Sequence, residues 1–424
     1  LIEALAQLPP PVWIGGLLAL YMAWAIGAND VANAMGTSVG SGALTVGGAV
    51  LVAGVLEFGG AFLVGGHVTE TIRKGILDPE AFAGDPDAFV HAMLAALMAA
   101  GTWLVLASRA GWPVSTTHSI VGAIVGVGAV VVGPATVHWD EVGQIVISWA
   151  VSPLMGGALA YAIFTLTRRS ILDHEDPMAR ARKVGPLFFF WVFFILALVT
   201  LFKGLKNLQL HLDLGGALLV SAGVGALGAA LGVLLLRRVR GPAEAPVDGG
   251  RFRFAGVERV FAVLQVLTAC AVAFAHGSND VANAIGPLAA LVATAQGAGV
   301  GGTAPVAPWM LMVGGVGIVI GLATYGYRVM ETVGRRITEL TPSRGFAAEL
   351  AAATTIVLAS RAGIPVSTTH ILVGSVLGVG LARGIGALDL RVVARIGASW
   401  LITLPSGAAL AVFFYYFFRG LLTP

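Results

Sequence analysis

Two stretches of this chain occur twice, and each copy sets polar groups inside an otherwise apolar segment. The first runs Ala25-Ile26-Gly27-Ala28-Asn29-Asp30-Val31-Ala32-Asn33-Ala34 and returns as Ala275-His276-Gly277-Ser278-Asn279-Asp280-Val281-Ala282-Asn283-Ala284. The second runs Ser108-Arg109-Ala110-Gly111-Trp112-Pro113-Val114-Ser115-Thr116-Thr117-His118 and returns as Ser360-Arg361-Ala362-Gly363-Ile364-Pro365-Val366-Ser367-Thr368-Thr369-His370. The offsets, 250 residues for Asn29 and 252 for Ser115, nearly agree, so a unit of about half the chain is duplicated. A bilayer interior disfavours such residues, yet both copies keep them. That pattern points to a transporter with its site between two repeats.

The membrane setting comes from composition. The chain is 57% hydrophobic and 11% charged, with a mean hydropathy of +0.89, whereas a soluble domain carries about 25% charged residues. The 58 glycines fit close helix approach in a membrane. A single cysteine, Cys270, leaves no intrachain disulfide and no Cys-rich metal site, and its apolar surroundings suggest packing. The formal charge of +3 is not a nucleic-acid signal, because the basic residues cluster in loops. The N-terminus begins Leu1-Ile2-Glu3 without a basic region, so no cleavable signal peptide is expected. Without an initiator Met, Leu1 need not be the native start.

Twelve apolar segments are expected, near 12–35, 44–66, 89–107, 119–133, 144–167, 187–202, 215–236, 260–287, 308–327, 345–359, 371–382 and 396–418. The fold class is therefore an all-α polytopic membrane protein of about 12 transmembrane segments. Short segments flank both Ser-Thr-Thr-His stretches and suggest re-entrant helical hairpins. Arg168, Arg169, Arg180, Arg182 and Lys183 follow the fifth segment; Arg237, Arg238, Arg240, Arg251, Arg253 and Arg259 follow the seventh. Both loops should be cytoplasmic, which places both termini outside. The loop 328–344, with Arg328, Arg335, Arg336 and Arg344, then falls inside, and the loop 67–88 outside. Asn29-Asp30 enters from outside and Asn279-Asp280 from inside, so the two repeats have inverted topology. The expected organisation is a first repeat at 1–167, inserted helices and basic loops at 168–259, and a second repeat at 260–424. The inserted helices would serve as scaffold or dimer contacts.

On a helix, Asn29 and Asn33 share a face, with Asp30 beside them. Gly27 and Gly277 upstream, and Gly36 and Gly286-Pro287 downstream, would allow helix breaks. Carboxylate, carboxamide and unwound carbonyl oxygens suit a hard cation. The bland alternative has each Asn bonding a neighbouring helix; it is weakest for Asp30 and Asp280, since a buried carboxylate costs about 2.5–3.5 kcal/mol on insertion scales. In the second motif, Ser115 or Ser367 can cap the following helix, and free N–H groups with two hydroxyls form an anion cradle. Ordinary N-capping is the alternative. Two such cradles could grip one tetrahedral anion without a full positive charge in the membrane.

Arg109 and Arg361 precede the cradles, where snorkelling or binding of helix C-terminal carbonyls is favoured over contact with the anion. His118 and His370 could donate to the anion, relay a proton or only pack. His276 faces Ile26 in the other copy, so it is not a symmetric site element. Glu57 aligns with apolar Ile318; it is either an extra cation site or proton carrier, or a neutral, hydrogen-bonded Glu. Glu70-Thr71 and Glu331-Thr332 repeat at the membrane edge, as salt bridges or gate contacts.

These residues resemble the inorganic phosphate transporter (PiT) family of sodium- or proton-coupled phosphate symporters. The resemblance rests on Gly27 to Ala34, its second copy at 277–284, and both Pro-Val-Ser-Thr-Thr-His stretches. The only departure between the signature copies is Ser278 against Ala28. It implies phosphate bound on the pseudo-two-fold by Ser115, Thr116, Thr117, Ser367, Thr368 and Thr369, together with Asp30 and Asp280. Sodium would sit at Asn29, Asp30, Asn33, Asn279, Asp280 and Asn283, with Glu57, Glu70 and Glu331 as gates or an extra cation site. No cofactor beyond the coupling ions is implied. A homodimer in the cell membrane is the family expectation.

Phosphate carries one or two negative charges, and the two Asp residues add two more. Cations bridging them would make binding obligatorily coupled. Proton-driven phosphate, metal–phosphate or sulfate transport on the same fold remain open, although sulfate cannot donate a hydrogen bond to Asp as phosphate can. An intramembrane hydrolase using Ser115 and His118 is disfavoured by the identical second copy. A passive anion channel is a further alternative.

Overall fold

The computed structural model describes residues 9–67, 77–201, 213–238, 255–300, 306–361 and 366–422. Thirteen α-helices are found among the described residues. The first half supplies α1 (Pro10–Gly40), α2 (Val46–Val64), α3 (Pro86–Ala110), α4 (Thr116–Val131) and α5 (Trp139–Thr167). Then come α6 (Pro177–Val199) and α7 (Leu214–Arg238). The second half supplies α8 (Ala255–Ala295), α9 (Pro308–Thr324), α10 (Tyr327–Glu331), α11 (Pro342–Arg361), α12 (Thr368–Arg383) and α13 (Leu390–Leu422).

The helix starts follow from local chemistry. Proline opens α1, α3, α6, α9 and α11, at the one helical position where its missing N–H costs nothing. Asp85 and Asp176 cap α3 and α6, accepting from Ala88 N at 3.0 Å and Ala179 N at 2.9 Å. Gly111 ends α3 in the left-handed conformation, φ 68°, which glycine adopts without a Cβ penalty.

Eight of these helices are long and apolar enough to cross a membrane, or nine if α9 and the segment Tyr327–Arg336, bent by 58°, form one span. The helices α4 and α12 are apolar but short, at 16 residues each. They begin directly at the Ser-Thr-Thr-His stretches.

The expected helix breaks at the signature glycines do not occur: α1 and α8 run unbroken through Asn29-Asp30 and Asn279-Asp280, and α8 even contains Pro287. Gly27 and Gly277 serve close crossing instead. A Cβ at Gly27 would lie 2.0 Å from the Ile318 carbonyl oxygen, and one at Gly277 2.1 Å from that of Glu57. Thus α1 lies against α9, and α2 against α8, through matching residues of the two halves. The same exchange recurs at α4 with α13 and α12 with α5, where Gly122 meets Leu404 and Gly374 meets Pro153.

The two signature helices lie antiparallel. Gly15 near the start of α1 meets Leu288 and Leu291 of α8, while Ser41 just past the end of α1 bonds Gln265 near the start of α8 at 2.8 Å. The helices α6 and α7 pack on each other, and α6 also contacts α8 and α11. Phe188 of α6, Phe261 of α8 and Phe346 of α11 form a ring cluster with centroids 5.5–6.0 Å apart. Leu219 and Leu227 of α7 are 75% and 73% exposed, an outer face suited to lipid or a second chain.

Candidate functional site

Helix α1 carries Asp30, and the starts of α4 and α12 close on it. Thr116 Oγ1 donates to Asp30 Oδ2, Thr369 Oγ1 to Asp30 Oδ1 at 3.3 Å, and Asn33 Nδ2 to Oδ1 at 3.1 Å. Asn33 Nδ2 also reaches Thr369 Oγ1 at 2.8 Å. One buried carboxylate therefore gathers a threonine from each Ser-Thr-Thr-His stretch. The two helix starts also touch directly: Thr369 Oγ1 donates to the Val114 carbonyl at 3.4 Å.

The second signature completes the cluster. Asn283 Nδ2 donates to Thr117 Oγ1 at 3.5 Å, and Asn279 Nδ2 to Asp280 Oδ1 at 2.8 Å. Oxygens of Asp30 and Asp280 and a nitrogen of His276 lie within 4.8 Å of one another, all buried. Two carboxylates that close repel by about 3–4 kcal/mol at an effective dielectric of about 20. Cations beside them would remove that repulsion.

Ser115 and Ser367 cap α4 and α12 as expected, accepting from His118 N and His370 N at 3.3 Å each. The Ser115 hydroxyl thus contacts the His118 backbone, a capping arrangement and not a nucleophile–base one. By helix geometry the first N–H groups of each helix lack intrahelical acceptors, and both starts lie beside Asp30. Thr368, with Asn33, His276 and Asn279, lines a small cavity of ≈ 30 Å³ that Val192 and Ile195 of α6 also line.

Several candidate residues have partners other than Asp30 and Asp280. Asn29 is committed to the loop before α4: its Nδ2 donates to Ser108 Oγ and the Trp112 carbonyl at 3.0 Å each, and its Oδ1 accepts from Val114 N at 3.2 Å. Arg109 is exposed, and its carbonyl accepts from Arg328 Nη1 at 3.3 Å. Glu331 is half exposed and pairs with Arg336 at 3.0 Å. Glu70 and residues 362–365 lie outside the described residues, and the Arg361 side chain is likewise not described. His118 and His370 meet edge to face at 4.9 Å, with His370 stacked on Trp400 at 3.7 Å.

Two groups were undervalued by sequence reasoning. His276 Nε2 lies 2.7 Å from Asp280 Oδ2, and its Nδ1 3.4 Å from Glu57 Oε1. The spacing of four between His276 and Asp280 was the available signal. Glu349 of α11 is fully buried. It accepts from Thr37, from Ser38 at 2.8 Å and from Thr268 at 2.5 Å, with Gln265 Nε2 at 3.4 Å. A lone acid in an apolar helix marked it.

Known proteins match this chain along its length. The family model described as "Phosphate transporter family" matches residues 26–411. A Haemophilus influenzae chain named "Putative phosphate permease" is 47% identical over 410 residues, spanning 96% of each chain. A chain of the same name from Chlamydia trachomatis is 43% identical over 425 residues, covering 97% of this chain and 98% of that one. A solved structure described as "The sodium-dependent phosphate transporter" superposes with a TM-score of 0.85 at 39% identity, covering 98% of this chain and 100% of that one. With the signature acids buried among threonines and not set up for hydrolysis, this multi-pass membrane protein is a permease and not an enzyme, and the chain belongs to the phosphate transporter family.

Proposed function

We propose that the chain is a sodium-coupled phosphate symporter working by alternating access. The observation that carries this reading is the convergence on Asp30 of Thr116 and Thr369, one from each half. In this reading the starts of α4 and α12, with Ser115, Thr116, Thr117, Ser367, Thr368 and Thr369, hold phosphate. Asp30, Asn33, Asp280 and Asn283 hold sodium, with Asn279 beside Asp280. Asn29 positions the phosphate-binding loop in place of ligating the ion. The sodium dependence of the solved relative, as its description states it, supports the choice of ion.

The coupling follows from charge. Phosphate entering beside Asp30 and Asp280 without cations meets two like charges within 4.8 Å of each other. Sodium ions bridging carboxylate and phosphate oxygens turn that repulsion into attraction, so neither solute travels well alone. The halves 1–167 and 260–424 act as inverted repeats, with 168–259 as scaffold. Their antiparallel signature helices support that assignment. The chain sits in the cell membrane with both termini outside, and the exposed face of α7 serves a homodimer.

The deciding experiment is labelled phosphate uptake into proteoliposomes under an imposed sodium gradient, then under a proton gradient at matched potential. Sodium-driven accumulation is expected. Asp30→Asn and Asp280→Asn should each raise the sodium concentration for half-maximal uptake by about tenfold or more, roughly 1.4 kcal/mol per decade. Unchanged sodium dependence in both variants would overturn the assignment, and accumulation driven by protons alone would recast the acids as proton carriers. Sulfate competing as well as phosphate would replace the cargo.

A further inference from the structure

The two halves of the chain agree at Asn29, Asp30 and Asn33 and at both Ser-Thr-Thr-His stretches, and two of the positions where they differ lie together beside the site. His276 stands where the first half has Ile26, and Glu57 stands where the second half has Ile318. The fold fixes this equivalence: Gly27 crosses at Ile318, and Gly277 crosses at Glu57. The two odd residues are in contact, with His276 Nδ1 3.4 Å from Glu57 Oε1. They therefore form one asymmetric feature added to an otherwise paired site.

We propose that Glu57, His276, Asp280 and Asp30 form a binding site for a divalent transition-metal ion. The donor set is one imidazole nitrogen and two carboxylates, whose ligand atoms already lie within 4.8 Å of one another. Sodium gains little from imidazole nitrogen, whereas zinc, cobalt and manganese accept mixed nitrogen and oxygen ligands. The arrangement of Glu57 is the second element. Glu57 Oε1 lies 3.4 Å from Nδ1; a carboxylate that accepts from Nδ1 as the ion binds would fix the tautomer that presents the Nε2 lone pair and raise the basicity of that nitrogen. Nε2 lies 2.7 Å from Asp280 Oδ2; an ion entering between them would replace that contact with two bonds to metal. All four side chains are buried, so the ion is shielded from competing water. Because Asp30 and Asp280 are shared with the proposed sodium positions, metal and sodium exclude one another.

The inference goes beyond the symport reading, and its test uses neither phosphate nor transport. The purified full chain in lipid nanodiscs, in choline chloride without sodium or phosphate, is titrated with Co²⁺ and followed by its visible d–d absorption. Zn²⁺ is then added as a competitor. The wild type is expected to bind one ion more than the double variant Glu57→Ile/His276→Ile. That variant copies the apolar residues at the two counterpart positions, Ile26 and Ile318, and keeps Asp30 and Asp280. Glu57→Gln is expected to weaken Co²⁺ binding by about tenfold to a hundredfold. Sodium added to the wild type should displace the bound Co²⁺ and bleach the band. Equal Co²⁺ stoichiometry in wild type and double variant, with both folded by their thermal transitions, would overturn the proposal. His276 would then be a structural bridge between two carboxylates.

Discussion

Asn29 separates the two roles an amide can play beside a buried acid. Its three polar contacts hold Ser108, Trp112 and Val114 in place, so removing it strips the loop in front of α4 of its anchor. Asn29→Ala is expected to cost about 1–3 kcal/mol, the usual penalty for orphaned buried groups, read as a lower thermal midpoint in detergent. Phosphate affinity should fall with it while the sodium dependence of uptake stays; a shifted sodium midpoint would return Asn29 to the ion. Glu349 is a second case, with the hydroxyls of Thr37, Ser38 and Thr268 all pointing at one carboxylate. Glu349→Leu strands them and should destabilise the chain by about 2 kcal/mol or more, with Glu349→Gln closer to wild type in thermal unfolding. The roles of Glu349 and His276 were hard to see in the sequence for the same reason. Duplication highlights what both copies hold, and Glu349 has Leu97 at its counterpart position, as His276 has Ile26. The paired residues Asp30, Thr116 and Thr369 were legible because repetition marks them. The unpaired ones needed three-dimensional contact to gain meaning.

Most helices of the fold were visible in the pattern of apolar runs, and their starts in proline and aspartate. Their continuity was not. A glycine next to buried polar residues reads equally well as a place to unwind and as a place for another backbone to come close. Only the neighbour decides, and it lies hundreds of residues away: Ile318 for Gly27, Glu57 for Gly277. In a membrane, where lipid tails satisfy apolar side chains as well as protein does, such close contact is a main source of helix association. Gly27→Ala must therefore push α1 and α9 apart. It is expected to cost about 1–3 kcal/mol by overpacking, measured as a lower thermal midpoint. Gly16→Ala is the control, since a Cβ there meets nothing within 4 Å; it should be neutral or stabilising by about 0.5–1 kcal/mol. A neutral Gly27→Ala would mean that the crossing is looser than these distances imply.

At the scale of the whole molecule, hydrogen bonds join loops of each half in pairs. The loop at 77–78, expected outside, is joined to the segment at 136–137 by Asp78 N donating to the Thr136 carbonyl at 3.0 Å. In the second half the loop at 337–338, expected inside, is joined to the segment at 387–389 by Asp389 N donating to the Ile337 carbonyl at 3.0 Å and by Thr338 Oγ1 donating to the Ala387 carbonyl at 2.7 Å. Each half thus ties its own two loops together in the same way, and the signature helices run in opposite directions. If the halves are inverted, equivalent loops must face opposite compartments. The exposed positions Ala135 and Gly386 test this directly. In a Cys270→Ser background, which has no other cysteine, Ala135→Cys should react with a membrane-impermeant maleimide in intact cells. Gly386→Cys should react only after the membrane is opened. Labelling of both from one side would make the repeats parallel, and the site would then lack the symmetry that lets one site face each side in turn.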